Sequence, residues 1–196
     1  MRPLMKGLAM ELAYTEETAR LRCPESGGVW GRLSCWDAGL SASLRLVDSR
    51  WRRLGKTVAH SGDAVFWLAA AAVMFFLPGT PTWQEVALRL VQAIVGAGVV
   101  AAGLKRLIRR PRPDGPPDGL YPIHDHYSLP SGHAVRVAAI ATVLGPLIPG
   151  WLIAVLALWA AAVALSRVLL GVHYLLDVLS GIVLGGMVGL VLMLVG

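Results

Sequence analysis

The sequence predicts an all-α fold: a polytopic membrane helical bundle with about five transmembrane helices and an N-terminal interfacial helix. Of its 196 residues, 56% are hydrophobic, and the mean hydropathy is +0.62. The apolar residues form long continuous blocks, whereas an amphipathic helix would carry them as a stripe on one face. Both observations are typical of helices that are surrounded by lipid.

The N-terminal region, residues 1–57, differs from the membrane-embedded domain predicted for residues 58–196. Residues 1–60 carry ten of the eighteen Lys and Arg residues. Apolar side chains recur there mostly at three- and four-residue spacing, at Leu33, Leu40, Leu44, Val47, Trp51, Leu54 and Val58. Basic side chains fall between them, at Arg45, Arg50, Arg52, Arg53 and Lys56. The pattern predicts a basic amphipathic helix in the membrane interface, and a helix packed on the spans with a solvated charged face fits equally well. Nucleic acid is not an expected partner, because these residues lie beside a segment that enters the membrane.

Five apolar blocks predict the membrane spans, at residues 58–77, 86–104, 133–148, 151–165 and 172–195. The third and fourth blocks are short for a helix that needs about 20 residues to cross the bilayer. The first ten residues lack the apolar core of a secretory signal, so the N-terminus is expected to be retained. Cys23 and Cys35 have neither zinc-binding nor redox spacing, so neither a metal site nor a disulfide framework is predicted.

Three polar clusters interrupt this apolar chain, and the first follows the second span. Residues 105–113 contain five cations. Alone, they would be a juxtamembrane positive cluster that sets topology. However, Pro111 and Pro113 fix the backbone around Arg112 and lead into a stretch rich in Pro and Gly. A stiff loop of this kind is suited to hold a guanidinium group in place.

The second cluster is a Pro-Ser-Gly-His tetrapeptide at 130–133, directly before the third span. Ser131 is predicted to cap the helix, Gly132 lets a ligand approach the backbone, and the free amides of a helix start form a natural phosphate site. His133 would then stand beside a bound anion. The ordinary alternative is a capping serine beside an interfacial histidine with no further duty. Arg136, one turn into the apolar run, needs a partner or a polar cavity.

The third cluster follows the fourth span and combines Ser166 and Arg167 with His173 and Asp177. Residues four apart lie on one face of a helix, so Asp177 is predicted to hold one ring nitrogen of His173 and leave the other aimed outward. That is the arrangement of an oriented nucleophile or base. A purely structural buried pair is the alternative, but ionisable groups within membrane spans are functional by default.

With five spans, all three clusters emerge on the same side of the membrane. Together they resemble the three-part signature of the type 2 phosphatidic acid phosphatase superfamily, which also includes bacterial acid phosphatases and vanadium haloperoxidases. The matching residues are Lys105 with six residues to Arg112-Pro113, the tetrapeptide at 130–133, and Ser166-Arg167 with His173 and Asp177. The resemblance covers roughly residues 60–196. Many relatives have six spans, and here an interfacial helix is expected in place of the first.

The resemblance implies a chemical role for each matching residue. His173 would attack phosphorus and form a phosphohistidine, while Asp177 holds its ring. His133 would protonate the leaving alcohol oxygen and later activate the hydrolytic water. These parts are what phosphoryl transfer requires, since it depends on donors and positive charge placed around the phosphoryl oxygens.

The phosphoryl oxygens would be neutralised by Lys105, Arg112 and Arg167, joined by the Ser131 hydroxyl and the Gly132 amide. No metal or other cofactor is implied, because three fixed cations take its place. Five further polar residues fall outside the signature, namely Arg109, Arg110, Arg136, His124 and His126. Arg136 is a weak candidate for a further phosphate ligand. The segment 124–126 is expected to be a solvated loop or, less favoured, to line the entrance.

The expected activity is removal of phosphate from a lipid monoester or diphosphate at the surface of the cell membrane. Phosphatidate, phosphatidylglycerophosphate and polyprenyl phosphates or diphosphates all remain open as substrates. Two alternatives are a non-catalytic protein that binds or translocates lipid phosphates and a lipid phosphotransferase. The charge bias places the clusters in the cytoplasm. Bacterial relatives commonly work on the outer face, so the orientation stays open, and no oligomeric state is predicted.

Overall fold

The computed structural model describes residues 28–76, 81–113 and 127–195. These ranges contain seven α-helices and no strand, which confirms the predicted all-α class. The helices are α1 (Val29–Ser43), α2 (Ser49–His60), α3 (Ala64–Phe76), α4 (Pro81–Ile108), α5 (Gly132–Leu144), α6 (Gly150–Leu169) and α7 (Leu175–Val195). A short 3₁₀ turn, Gly145–Leu147, extends α5.

Three of the described helices are long and apolar enough to cross a membrane. They are α4 from Trp83 onward, with 26 residues, α6 with 20 and α7 with 21. The pair α2 and α3, bent by 41° at a short break, counts as a fourth span if it is taken as one broken helix. The segment Gly132–Leu147 is apolar but shorter. The protein is therefore an integral membrane protein, while the count of about five spans stays a prediction.

The N-terminal amphipathic segment is divided into two helices, so the prediction of one helix from Leu33 to Val58 is wrong. The Asp48 side chain accepts a hydrogen bond from the backbone N–H of Arg50 at 2.7 Å and so begins a new helix, α2. The backbone N–H of Leu46 donates to the carbonyl of Leu169 at 2.9 Å. The link between α1 and α2 is therefore fixed to the end of α6.

Helix α1 exposes its tryptophans and buries two of its polar side chains. Trp30 is 82% exposed and Trp36 is 60% exposed, whereas Asp37 and Ser41 are buried. Exposed tryptophan is typical of the membrane interface, where the amphipathic ring sits at the level of the headgroups. Cys35, also on α1, is disulfide-bonded, which corrects the expectation that the cysteines form no disulfide.

A stripe of glycines brings α5 and α7 close together. A Cβ atom added to Gly181 would lie 2.8 Å from the Cβ of Ala134, and one on Gly189 would lie 2.6 Å from the Cβ of Thr142. A Cβ on Gly185 would overlap the carbonyl of Val135. Small residues at four-residue spacing let helix backbones approach in lipid. The stripe therefore places the beginnings of α5 and α7 side by side.

Candidate active site

The site begins at the tight turn between α6 and α7, which contains His173. Gly171 has φ of 77°, a left-handed conformation that favours glycine. Behind it, the backbone N–H groups of Val172 and His173 both donate to the carbonyl of Arg167, at 3.1 and 3.2 Å. The turn therefore folds back over the end of α6, which is why His173 lies beside Arg167 and at the head of α7.

His173 and Asp177 form a buried pair. Nδ1 of His173 lies 3.6 Å from Oδ2 of Asp177, and the two side chains are 2% and 0% exposed. This distance is a close polar contact and is longer than a direct hydrogen bond. Asp177 faces Nδ1, so Nε2 is the ring nitrogen left for attack on a substrate.

Asp177 is held by two further donors. The backbone N–H of Tyr174 donates to Oδ2 at 2.9 Å, and Nη1 of Arg110 donates to Oδ1 at 2.7 Å. The Arg110 guanidinium also lies over the Tyr174 ring, 4.1 Å from its centroid. Burial disfavours the charge of Arg110, but the carboxylates of Asp177 and Asp37 outweigh burial and raise its pKa. Arg110 therefore stays charged and fixes the carboxylate behind the His173 ring.

Helix α1 supports the same region from the other side of Arg110. Oδ2 of Asp37 accepts from Nη2 of Arg110 at 2.7 Å. Oδ1 of Asp37 accepts from the backbone N–H of Leu176 at 3.0 Å, and Oγ of Ser41 accepts from that of Leu175 at 2.9 Å. Asp37 and Ser41 thus satisfy free amides at the beginning of α7. Asp37, Arg110 and Asp177 form one continuous network.

Sequence reasoning missed Asp37 and set Arg110 outside the signature. The signal for Asp37 was its position between Trp36 and Ala38, where a carboxylate within an interfacial helix needs a partner. The partner lies 73 residues away in the sequence. No local spacing could therefore have paired Asp37 with Arg110.

Two arginines lie close to the His173 ring. Arg112 is 5% exposed, and its Nη1 donates to the carbonyl of Val172 at 3.2 Å. Arg167 is 1% exposed. Burial lowers the pKa of the His173 ring to about 4; Asp177 opposes this shift, and Arg112 and Arg167 add to it. The ring is therefore neutral near pH 7, which is the form of an imidazole that attacks phosphorus.

The beginning of α5 faces the same place. The backbone N–H of Ser131 donates to the carbonyl of Asp177 at 2.9 Å. Ser131 is the N-cap residue, but its side chain makes no capping hydrogen bond, so the prediction that the serine caps this helix is wrong. Its Oγ is buried and has no hydrogen-bond partner among the described residues. Among the described residues, no atom outside the adjoining backbone of α5 lies within 4 Å of where a Cβ on Gly132 would be, which leaves room for a ligand at these amides.

His133, in the first turn of α5, has a carboxylate partner that the sequence analysis did not find. Its Nε2 lies 2.7 Å from Oδ1 of Asp63, at the break between α2 and α3. Arg136 donates from Nη1 to the carbonyl of Gly62 at 3.1 Å, at the same break. Arg167 and Arg136 both act electrostatically on His133. Arg167 acts on the His173 ring as well, so both histidines lie near the same arginine.

The remaining candidates are placed less closely. Lys105 lies in the last turn of α4, on the segment that continues to Arg110 and Arg112. His124 and His126 lie outside the described residues. The structure therefore brings together His173, Asp177, His133, Ser131, Gly132, Arg112 and Arg167. A neutral imidazole, a second imidazole and buried guanidinium groups are the parts that phosphoryl transfer through a covalent intermediate requires.

Residues 86–196 match the sequence model of the PAP2 superfamily. The matched segment contains all three polar clusters of the sequence. The chain therefore belongs to the PAP2 superfamily, as the sequence resemblance indicated.

Three similar proteins are phosphatases by name. The lipid A 1-phosphatase of Rhizobium etli is 30% identical over 173 residues, which span 77% of this chain and 73% of that protein. The decaprenylphosphoryl-5-phosphoribose phosphatase of Mycobacterium tuberculosis is 39% identical over 109 residues, 53% of this chain and 60% of that protein. The undecaprenyl-diphosphatase of Sulfolobus acidocaldarius is 32% identical over 127 residues, 63% of this chain and 60% of that protein.

Two solved structures share the fold. The PAP2-type phosphatidylglycerolphosphate phosphatase from Bacillus subtilis superposes with a TM-score of 0.69 at 23% identity, over 94% of this chain and 93% of that one. LpxE from Aquifex aeolicus superposes with a TM-score of 0.66 at 25% identity, over 79% of this chain and 92% of that one. Both are consistent with the helical membrane architecture described above.

Proposed function

We propose that this protein is a PAP2-type membrane phosphatase that hydrolyses a lipid phosphate monoester or diphosphate through a phosphohistidine at His173. One observation carries the proposal. The buried, neutral His173 ring lies against Asp177 on one side and near Arg112 and Arg167, at the end of two apolar helices. A nucleophile surrounded by fixed cations is suited to a phosphoryl group.

In the first step, Nε2 of His173 attacks phosphorus. The bond between phosphorus and the leaving oxygen breaks, and His133 donates a proton to that oxygen. In the second step, water attacks the phosphohistidine, His133 accepts the water proton, and the bond between phosphorus and nitrogen breaks. His133 thereby recovers its proton, and inorganic phosphate leaves.

The other residues act on the phosphoryl oxygens. Arg112, Arg167 and Lys105 supply positive charge, while the Oγ of Ser131 and the Gly132 amide supply hydrogen-bond donors. Donors fixed in a water-poor site stabilise the charge of the transition state without reorganisation. The Ser131 Oγ, buried and without a partner among the described residues, is available for this contact.

The proposed substrate class rests on two supports. The named relatives act on lipid A, decaprenylphosphoryl-5-phosphoribose and undecaprenyl diphosphate, all of which carry phosphate on a lipid. In this chain, the site lies at helix ends, beside a helix that exposes Trp30 and Trp36. A headgroup would therefore enter the site while its tails stay in hydrocarbon.

The test is phosphate release by the purified protein in detergent, measured with EDTA present. A panel of phosphatidate, phosphatidylglycerophosphate, a lipid A phosphate and a polyprenyl diphosphate compares the candidate headgroups. We expect release from at least one lipid and none in His173→Asn. Binding without release would favour a non-catalytic lipid-phosphate protein, and a new phosphorylated alcohol would favour a phosphotransferase.

We also propose that the site faces away from the cytoplasm. Cys35 is disulfide-bonded, and α1, which carries it, contacts the site through Asp37 and Ser41. Disulfides persist in oxidising compartments. The charge bias of the sequence favoured a cytoplasmic site. It is a weaker argument here, because Arg110, Arg112 and Arg167 contact or act on groups of the site and do not serve only to set topology.

The orientation is tested on intact cells with an impermeant reductant followed by an impermeant maleimide. We expect labelling before lysis, and a Cys35→Ser variant identifies the label on that residue. Labelling that requires lysis would place the site in the cytoplasm.

A further inference from the structure

The break between α2 and α3 carries a carboxylate that contacts two imidazole rings. Oδ1 of Asp63 lies 2.7 Å from Nε2 of His133, and Oδ2 lies 2.8 Å from Nδ1 of His60. Asp63 and His60 both precede residue 86, where the match to the superfamily begins. The contact therefore joins a part of this chain that the superfamily match does not cover to His133, which lies within the match.

The turn that presents Asp63 is fixed from several directions. The carbonyl of Ser61 accepts a hydrogen bond from Nε1 of Trp67 at 2.9 Å, and the Oγ of Ser61 accepts one from Nε1 of Trp159 at 3.0 Å. The two indole rings pack with their centroids 5.0 Å apart. A Cβ on Gly62 would lie 2.6 Å from Cγ1 of Val163, so the turn lies directly against α6. Asp63 is thus held at the site by residues of α3 and α6.

The groups around the His133 ring act on its protonation in opposite directions. Burial and the positive charges of Arg167 and Arg136 lower the pKa of the His133 ring to about 3, and the direct contact with Asp63 opposes this shift. A general acid must carry a proton before the leaving oxygen departs. A carboxylate on one ring nitrogen stabilises that protonated form and fixes the ring orientation.

We propose that Asp63 is a positioning residue for His133, and that His60 anchors Asp63. The proposal rests on the acid–base role proposed above for His133. With Nε2 directed at Asp63, Nδ1 is the nitrogen that gives a proton to the leaving oxygen and takes one from water. His60 holds Oδ2, so that Oδ1 stays directed at His133. The site then contains two imidazole–carboxylate pairs, one for the nucleophile and one for the acid.

The experiment compares two leaving groups in Asp63→Asn. The alkoxide of an alkyl lipid phosphate needs a proton as it leaves, whereas p-nitrophenyl phosphate releases a stable p-nitrophenolate that needs none. We expect kcat/KM to fall about 10- to 100-fold for the lipid, part of the 10²–10⁴ typical of general acid–base catalysis, and only a few-fold for p-nitrophenyl phosphate. Asp48→Asn is the matched control, because Asp48 is an exposed helix cap that asparagine replaces.

A second variant and a double mutant separate positioning from folding. His60→Asn, at a side chain that is 53% exposed, should give the same leaving-group pattern with a smaller loss. In a His133→Asn background, Asp63→Asn should cost no further activity, because the ring that it positions is gone.

Two kinds of failure are distinguishable. Equal losses for both leaving groups, or additive losses with His133→Asn, would overturn the role of Asp63 and leave the phosphatase intact. A wild-type protein that releases no phosphate from any substrate, or a His173→Asn variant that is fully active, would instead overturn the proposed function.

Discussion

The two imidazole–carboxylate pairs of the site differ in burial. The His173–Asp177 pair is 2% and 0% exposed, and Asp177 is tied to Arg110 and the Tyr174 amide. The His133 and Asp63 side chains are 15% and 39% exposed and lie at the beginning of α5 and at the α2–α3 break. A nucleophile benefits from a fixed, water-poor position, whereas a general acid–base catalyst must contact first the leaving oxygen and then water.

The pairs also differ in how they are held. Asp177 is part of a network that extends through Arg110 to Asp37 and the beginning of α7. Asp63 depends on the geometry of one tethered turn. Variants in the first network should therefore disturb folding and chemistry together, and variants at the turn should disturb proton transfer alone.

The largest effect is expected from Arg110→Met. This change leaves the carboxylates of Asp37 and Asp177 buried without their cation, which costs about 3–5 kcal/mol of stability when a buried pair loses one partner. The midpoint of thermal unfolding in detergent should fall, and activity should be lost for alkyl and p-nitrophenyl phosphates alike. Asp37→Asn keeps the Arg110–Asp177 pair, so its unfolding midpoint and its activity should fall less. An Arg110→Met protein as stable and active as wild type would refute the network.

A smaller effect is expected from Gly185→Leu, which tests whether close helix packing joins the two pairs. The side chain would overlap the backbone of α5 at Val135, and overpacking typically costs about 1–3 kcal/mol. Gly186→Leu is the matched control, because no described atom outside its own helix backbone lies within 4 Å of its added Cβ. We expect a lower unfolding midpoint and lower kcat only for Gly185→Leu. Equal behaviour of the two variants would contradict the role of the glycine stripe.

Ser131→Ala should reduce activity about 10-fold, the scale of one hydrogen bond to a charged group. The Oγ makes no hydrogen bond to any described residue, so the unfolding midpoint should not change. Steady-state kinetics together with a thermal melt distinguish these effects. Loss of stability without loss of kcat/KM would show that Ser131 supports the fold and does not contact phosphate.

The smallest change is expected from mild acidification. His173 acts as a neutral ring, and burial lowers its pKa from 6.5 to about 4. Protonation of this ring therefore reduces kcat/KM only as the pH falls through about 4, and its effect is absent between that pH and neutrality. The pH profile of kcat/KM for p-nitrophenyl phosphate, whose leaving group needs no proton, measures this acidic decrease. A decrease centred near 6.5 and assigned to His173 would mean that the ring is solvated.

Much of the site could be predicted from the sequence because its parts are local. His173 and Asp177 are four residues apart, a spacing that puts two side chains on one side of a helix. Ser131 to His133 directly begin an apolar run, where the free amides of a helix start are available to an anion. The positions of the apolar helices follow from continuous hydropathy. The span count does not, because the α2–α3 break and the short α5 are tertiary features that hydropathy does not resolve.

The supporting contacts could not be predicted, because each joins distant parts of the chain. Asp63 meets His133 across 70 residues, and Asp37 meets Arg110 across 73. Helix α1 also departs from the expected pattern, since Asp37 and Ser41 face the protein and the tryptophans face outward. In lipid, the interior of a helix contact need not be its apolar side.

The most direct test of the account is to trap the phosphorylated enzyme. The protein is mixed with a lipid phosphate that it hydrolyses, and the reaction is quenched within a single turnover. The protein is then digested and mapped by mass spectrometry under conditions that preserve phosphohistidine. We predict a phosphoryl group on His173, with slower decay in His133→Asn. Phosphate release without any phosphorylated His173, or with the label on another residue, would contradict the account.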